Sequence, residues 1–463
     1  MEKKKKYFDK IELLFKLFYL AFVLISFNSF CARASYISYL SYAIVALGAF
    51  VFLTRLTHLK DYLNRNVWIL LAFVFSYALA SIKTMQYGLM ENIQAIAWMG
   101  LMFFTVFAYD KTRDRETFLF EFKYLSGFFL VYTFIMAIIG IAMMILNFAY
   151  LKVVDDTNIY IIGGGFIWNR LYGCYMDPTY GSIFALTSII FSIYYLKIVS
   201  SKRLKGLLVA NIILEFIHMS CSDSRTALVA LFLAATVCVF LLLKDKGKNI
   251  LVSALIAVVV AVLLMGSAVG IQKVAGVIHM KTAEWYYSDE NLSEEELAIL
   301  LDEYRLGRTE DEINGGDLSN NRFAIWANAI DIFKTNPVTG ISFRNIIEYA
   351  RDKMPEGFIA KSGFESMHNS IIDILVSQGV IGIALFVALV VSVFITIFKK
   401  APLLTGDDRR MFIYFFTCLT LIFGSMMFYS ETFYMNTGSA FNFWMILGIL
   451  VNYILPNAKE EAV

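Results

Sequence analysis

The sequence is poor in charge. Asp, Glu, Lys and Arg make up 17% of its 463 residues, where ordinary soluble domains carry about a quarter. Hydrophobic residues reach 59% and mean hydropathy is +0.65, so a soluble globular domain is excluded. Forty-two Phe and 26 Tyr push the same way. Cysteine is scarce too. Five of them lie scattered singly, without the spacing of a metal site or a disulfide framework. One bridge among Cys31, Cys174 and Cys221 stays open, because all three fall near the same side of the expected membrane. The basic start "MEKKKKYFDKIELLFKLFYL" lacks a small-residue cleavage pattern and reads as a retained first helix rather than a removed signal peptide. Repeats and low-complexity tracts are also missing. The net charge of +2 does not point to nucleic acid, since its sign is sorted by side of the membrane.

What remains is a polytopic membrane protein. A membrane-crossing helix needs about 20 mostly apolar residues. Twelve segments qualify: 12–32, 36–54, 66–82, 92–109, 125–148, 181–198, 205–220, 226–243, 250–271, 369–398, 411–428 and 438–455. The expected fold is all-α with about 12 transmembrane helices. With the N-terminus inside, the inner segments hold 25 of the 40 Lys and Arg residues. The short outer loops hold five (Arg33, Lys83, Lys152, Arg170, Arg225), and one long outer loop holds ten. This asymmetry places both termini in the cytoplasm. The inner charges read as solvated loops.

Three regions follow: helices 1–9 over 1–271, an extracytoplasmic helical loop over 272–368, and helices 10–12 over 369–463. A second outer segment, 149–180, is rich in Gly and aromatics. The long loop begins with an acidic stretch, 284–317, carrying twelve acids against two arginines. Within it, Ser293 and Glu296 form a capping-box pattern. Two further helices are expected from "NNRFAIWANAIDIFKTNP", stopped by Pro337, and "FRNIIEYARDKMP", stopped by Pro355. Long loops with structure of their own usually carry function.

Ionisable groups at a membrane boundary are costly and point to function. On the outer side Arg225 stands at the start of span eight, Arg170 and Asp177 ahead of span six, Arg322 on a loop helix, and His368 with Asn369 at the mouth of span ten. The plain alternative for any single Arg is a snorkelling anchor, but this side is otherwise depleted of cations. Glu215 and His218 in span seven share a helix face. Their Glu-x-x-His spacing suits a metal, yet the matching motif from a second helix is missing, so no metal site is expected.

Four stretches, "NRLYGCYMDPTYGSIFAL", "SCSDSRTALVALFL", "NNRFAIWANAIDIFKTNPVTGI" and "MHNSIIDILVSQGVIGIALF", together resemble the O-antigen ligase and polymerase superfamily of bacterial surface-glycan assembly. They stand in family order over residues 170–386. The acidic stretch 284–317 departs from the family pattern.

The resemblance implies a membrane glycosyltransferase acting on the outer face of the cytoplasmic membrane. Its donor would be a glycan on undecaprenyl pyrophosphate and its acceptor a second glycan, with the lipid bilayer as medium. A chain-length regulator and a flippase are candidate partners; no nucleic acid and no cofactor are expected. Charge then builds on a pyrophosphate leaving group. Arginine's planar fork suits that anion, which assigns Arg225 and Arg322, with His368, to catalysis. Arg170, Asp177, Asn369 and Glu215 fall to substrate binding. His368 would take the acceptor proton, with Asn369 positioning it or the sugar. The Lys-, Phe-, Tyr- and Ile-rich composition leans toward a polymerase of O-antigen or capsule repeat units. The alternative is a ligase that transfers the glycan to lipid A core, protein or wall polymer. A lipid-linked glycan transporter is a third reading.

Overall fold

Each of the twelve apolar runs folds as helix in the computed structural model, which describes residues 2–155, 160–287, 293–307, 321–456 and 458. In chain order come α1 (Glu2–Ser26), α2 (Ser35–Leu56), the single turn α3 (Leu59–Tyr62), α4 (Arg65–Lys83) and α5 (Leu89–Leu101). Next are α6 (Arg115–Ile145), α7 (Pro178–Ile198), α8 (Lys202–Cys221), α9 (Arg225–Asp245) and α10 (Ile250–Tyr286). Four shorter helices follow: α11 (Glu294–Glu303), α12 (Arg322–Thr335), α13 (Ile346–Lys353) and α14 (Phe358–Ser362). The chain returns to long helices with α15 (Ser370–Lys400), α16 (Gly406–Ser425) and α17 (Gly438–Ile449).

Among the described residues nine helices are long and apolar enough to cross a membrane. This is a multi-pass membrane protein. The three expected spans that fall short do so for physical reasons. The first half of α1 carries Asp9, Lys10, Glu12 and Lys16, and α16 opens on Asp407, Asp408, Arg409 and Arg410. The apolar stretch of α17 runs only over Gly438–Ile454. α6 runs from Arg115 to Ile145, with Gly140 near its end set against Gly173, so the bundle has two ends. The end that carries the first turns of α7, α9 and α15 is called the site end below.

Several expectations need correction. The inner charges are not all solvated. Lys16 lies 3.0 Å from Glu12 and 2.5 Å from Glu121, Arg55 lies 2.5 Å from Glu12, and Arg113 reaches Asp9, Glu12 and Glu121 at 2.7–2.9 Å. These groups are buried apart from Asp9. The cause sits in α5, whose last turns widen to a π-helix over Met102–Phe107. Arg55 fills in there, donating to the carbonyls of Phe104, Thr105 and Ala108.

The fold is mostly helical but not all-α. Residues 149–173 form a three-stranded antiparallel sheet, β1 (Ala149–Asp155), β2 (Tyr160–Ile167) and β3 (Arg170–Gly173), in the order β1-β2-β3. α10 runs unbroken for 37 residues, past the expected start of the long loop at residue 272. At 1.5 Å per residue that is about 55 Å, well beyond an apolar core of about 30 Å. Its far end meets the sheet: the His279 ring stands edge-on to Phe166, 4.6 Å between centroids, and Asn169 donates to the carbonyls of Asp302 and Arg305. The five cysteines are free thiols.

The expected helices of the long loop are present. Ser293 and Glu296 close a capping box on α11, α12 stops before Pro337 and α13 before Pro355. Much of the acidic stretch, 288–292 and 308–320, and most of the cytoplasmic tail expected after residue 455, namely 457 and 459–463, lie outside the described residues. Span ten is broken at Gly379, whose φ of 60° is left-handed. The segment after α12 inserts there. Pro337 O accepts from Val380 N, while Ile341 N and Ser342 N donate to the carbonyls of Val376 and Ser377. Gly340, at φ 66°, passes so close to the Ser377–Gln378 backbone that a side chain would collide. The helix that follows Arg322 is thereby locked to the helix that follows His368.

Candidate active site

Four helix N-termini place the candidate residues. Asp177 caps α7, its carboxylate accepting from Thr179 N at 2.6 Å with Pro178 in the first turn. Ser224 caps α9 through Ala227 N, which makes Arg225 the first helical residue. Asn321, in a left-handed conformation, starts α12, so Arg322 is again first. Asn369 caps α15, accepting from Ile371 N and Ile372 N at 2.9 and 3.1 Å. Helix N-termini carry partial positive charge and suit anions.

Arg225, Arg322, His368 and Asp177 come together, and all four are half-buried. Burial pulls the Arg322 guanidinium below the ordinary arginine value. Asp177 and Tyr429 oppose the drop and Arg225 adds to it. Arg322 thus sits in a partly dry corner beside a second cation. Burial also pushes the His368 imidazole below its usual value; Arg322 pushes the same way and Asp177 opposes. A neutral imidazole at neutral pH can accept a proton.

His368 is itself strained, with φ at 48°. A left-handed non-glycine residue costs about 1–3 kcal/mol and persists only where its surroundings over-determine it. Here they do. Trp326 Nε1 donates to the carbonyl of Met367 at 2.8 Å, Met367 N donates to Asp373 at 2.8 Å, and Asn369 closes the turn as a cap. Trp326 is one turn beyond Arg322, so α12 holds both the cation and the backbone that presents the histidine.

Two predicted residues stand one contact behind the group. Arg170 donates from Nε to Ser222 O at 3.0 Å and from Nη2 to Asp223 O at 3.2 Å. It fastens the turn that delivers Arg225. Asn369 uses its oxygen as the cap and its amide nitrogen on Met427 O at 2.9 Å, so it positions the histidine turn. Glu215 is elsewhere. It is buried inside the bundle facing Thr133 and Ser188, and one of its oxygens has no hydrogen-bond partner. His218 is buried one turn on, its ring set against Gly140, Gly173 and Gly181. Among the described residues no three His, Cys, Asp or Glu side chains group as metal ligands.

Sequence reasoning missed the loop 426–437. It is laced to the start of α15: Ser370 N donates to Met426 O at 2.9 Å, Ser370 Oγ to Tyr429 O at 3.3 Å, and Ser430 Oγ to Asp373. The Tyr429 ring lies 5.7 Å from His368 and 4.7 Å from Tyr180, perpendicular to the latter. Glu431 is fully buried, with Ser425 Oγ on one oxygen at 3.2 Å. Burial pushes its carboxyl up to about 8, so it is protonated at neutral pH. The available signal was an acid, Glu431, in a short loop between apolar spans.

No curated protein matches the chain. The family model described as O-antigen ligase matches residues 210–387, a segment that includes Glu215, Arg225, Arg322, His368 and Asn369. Over that segment the chain is similar to the O-antigen ligase family.

Proposed function

We propose that the protein joins glycan repeat units on the extracytoplasmic face of the cytoplasmic membrane, taking them from undecaprenyl pyrophosphate without a metal. Arg225 and Arg322 hold the pyrophosphate. The acceptor O–H bond breaks and its oxygen bonds to C1 of the donor sugar. The proton passes to His368, and the electrons of the C1–O bond leave with the lipid pyrophosphate. Preorganised cations in a partly dry site favour that charge development over the ground state. The single observation that carries this reading is the meeting of Arg225, Arg322, Asp177 and His368 at helix N-termini, with Arg322 half-buried and its affinity for its own proton lowered.

Further support comes from an apolar cavity of about 310 Å³ between α15, α16 and α17. It includes Met426 in its lining and extends to Ile397 near the far end of α15, a fit for part of a polyprenyl chain. Twelve spans with both termini in the cytoplasm would put the arginines outside, where flipped donor is available. Transfer to lipid A core, protein or wall polymer uses the same donor chemistry, and only the acceptor differs.

Transport draws on one observation, the buried polar face of α8. Asn211 bonds Ser188 and Ser192, and Glu215 and His218 continue the same face. Cells separate the readings. With His368→Ala the polymer should disappear while the protein remains inserted and lipid-linked units collect in the outer leaflet. Accumulation in the inner leaflet would favour transport, and normal polymer would return His368 to an interfacial anchor.

A further inference from the structure

The loop 426–437 brings one more polar group to the arginines. Tyr429 follows α16, and its backbone is held by Ser370 from the first turn of α15. Its ring is fixed from two sides, by His368 at 5.7 Å and by Tyr180 at 4.7 Å, the latter at 90°. Tyr180 itself is buried three residues after the Asp177 cap. Tyr429 therefore spans from the acceptor-side histidine to the helix that carries Asp177. It is only half-buried, and it is among the groups that act electrostatically on Arg322.

We propose that Tyr429 is a substrate-contacting residue whose hydroxyl donates a hydrogen bond to the pyrophosphate held by Arg225 and Arg322, an inference that rests on the functional reading above. Three features favour the phenol as donor. Burial, the Asp177 carboxylate and the hydrogen bond its O–H donates to the Tyr180 hydroxyl, an acceptor that the pyrophosphate would replace, keep it protonated far above neutral pH. Its ring cannot swing away, because Tyr180 and His368 flank it, so little rotational freedom is lost on binding. A neutral donor adds a hydrogen bond to an anion without adding charge repulsion to a corner already crowded by two guanidinium groups. No proton is transferred in this step. The hydroxyl neutralises part of the charge that builds as the C1–O bond breaks, in the manner of an oxyanion-hole donor.

Undecaprenyl pyrophosphate, the common product whatever the sugar, is the probe. Its affinity for the full-length protein in lipid nanodiscs is measured for wild type, Tyr429→Phe, Tyr429→Ala and Arg322→Ala, with undecaprenyl monophosphate for comparison. Tyr429→Phe keeps the ring and its seat. It should weaken pyrophosphate binding about tenfold, the scale of one lost bond to a charged group. The melting temperature should be unchanged, and turnover with lipid-linked donor should fall on the order of a hundredfold. Wild-type affinity in Tyr429→Phe overturns the proposal. If only Tyr429→Ala binds weakly, the ring seats His368 and the hydroxyl is not a ligand, which also overturns it. Arg322→Ala isolates the underlying reading: undiminished binding there means the arginine site is wrong, whereas loss there with none in Tyr429→Phe removes Tyr429 alone.

Discussion

The molecule buries charge at both ends of its helix bundle, and the two ends do so in opposite ways. Away from the site, three carboxylates (Asp9, Glu12, Glu121) face three cations (Lys16, Arg55, Arg113), and every one is paired within 3.0 Å. At the site end, among the described residues, the formal charges that act on Arg322 are one guanidinium, Arg225, and one carboxylate, Asp177. The arginines record the contrast. Burial pulls Arg113 down, but Glu12, Glu121 and Asp9 outweigh it and hold the group well above its ordinary value. Burial and Arg225 pull Arg322 down against a single carboxylate, and they win. A closed cluster of balanced charge serves as a brace between α1, α2 and α6. At the site end burial lowers Arg322 instead of being outweighed by its partners, and a group perturbed in that way is a candidate for function.

The largest effect should come from breaking the brace. Arg113→Ala leaves Asp9, Glu12 and Glu121 with only Lys16 and Arg55 of the cluster to balance them, and removing one partner of a buried pair costs about 3–5 kcal/mol. Thermal unfolding of the purified protein should show that loss directly. Wild-type stability would mean that the cluster is not a brace. Next come the site arginines. Arg322→Ala and Arg225→Ala should each remove on the order of 3 kcal/mol of transition-state stabilisation, about a hundredfold in rate. For Arg322→Ala the melting temperature should stay level or rise, since burial already disfavours that cation. Lys83→Ala, on a span end away from the group, should change turnover little. An arginine variant that unfolds instead would erase the distinction between the two ends.

Smaller effects sharpen the comparison through pH. His368 must be neutral to accept a proton, and its value lies below the ordinary 6.5. The acid limb of turnover should therefore lie below that pH. Asp177 raises the His368 value, so Asp177→Asn, which preserves a capping side chain, should move the limb further into acid. A limb shifted upward would show that Asp177 does not face the imidazole. The smallest effect concerns Glu431. Its carboxyl binds a proton up to about pH 8 in the folded state, while the unfolded chain loses it near 4.5. The unfolded state then binds fewer protons across that window, and stability falls as pH rises through it. Melting temperatures of wild type and Glu431→Gln from pH 5 to 8 should diverge, with the wild type losing more. Parallel curves would mean that Glu431 is ionised and paired.

The charged groups at the site end could be singled out in the sequence, and the brace could not. Arg225, Arg322 and His368 stand at apolar runs where charge is costly, on a side short of cations, and that cost is visible without coordinates. The loop helices were equally legible, because Ser293, Pro337 and Pro355 are local stop and start signals. Glu12, Lys16, Arg55 and Arg113 look like any cytoplasmic charges. Only the fold shows that the π-helical end of α5 leaves carbonyls for Arg55, and that α1 and α6 bring Glu12 and Glu121 to one point. The sheet over 149–173 was hidden because Gly163, Gly164 and Gly165 suggest a loop. Tyr429 and Glu431 were hidden because "MMFYSETFYMNTG" reads as a short turn between spans. Their importance comes from Ser370, Asn369 and Tyr180, which are far away in sequence. Glu215 shows the converse: its spacing to His218 suggested a site, but burial among Thr133 and Ser188 sets it apart from the arginines.

The central claim, that guanidinium forks hold the leaving pyrophosphate where a metal otherwise would, is tested most directly by single-turnover transfer with purified protein and lipid-linked donor. The rate is compared for wild type, Arg225→Lys and Arg322→Lys, each with EDTA and with added divalent metal. Lysine keeps the charge but not the fork. The account predicts that both lysine variants lose on the order of a hundredfold and that the wild type turns over unchanged in EDTA. Near-normal rates in both lysine variants would contradict it, as would a wild type that stops on chelation and recovers with metal.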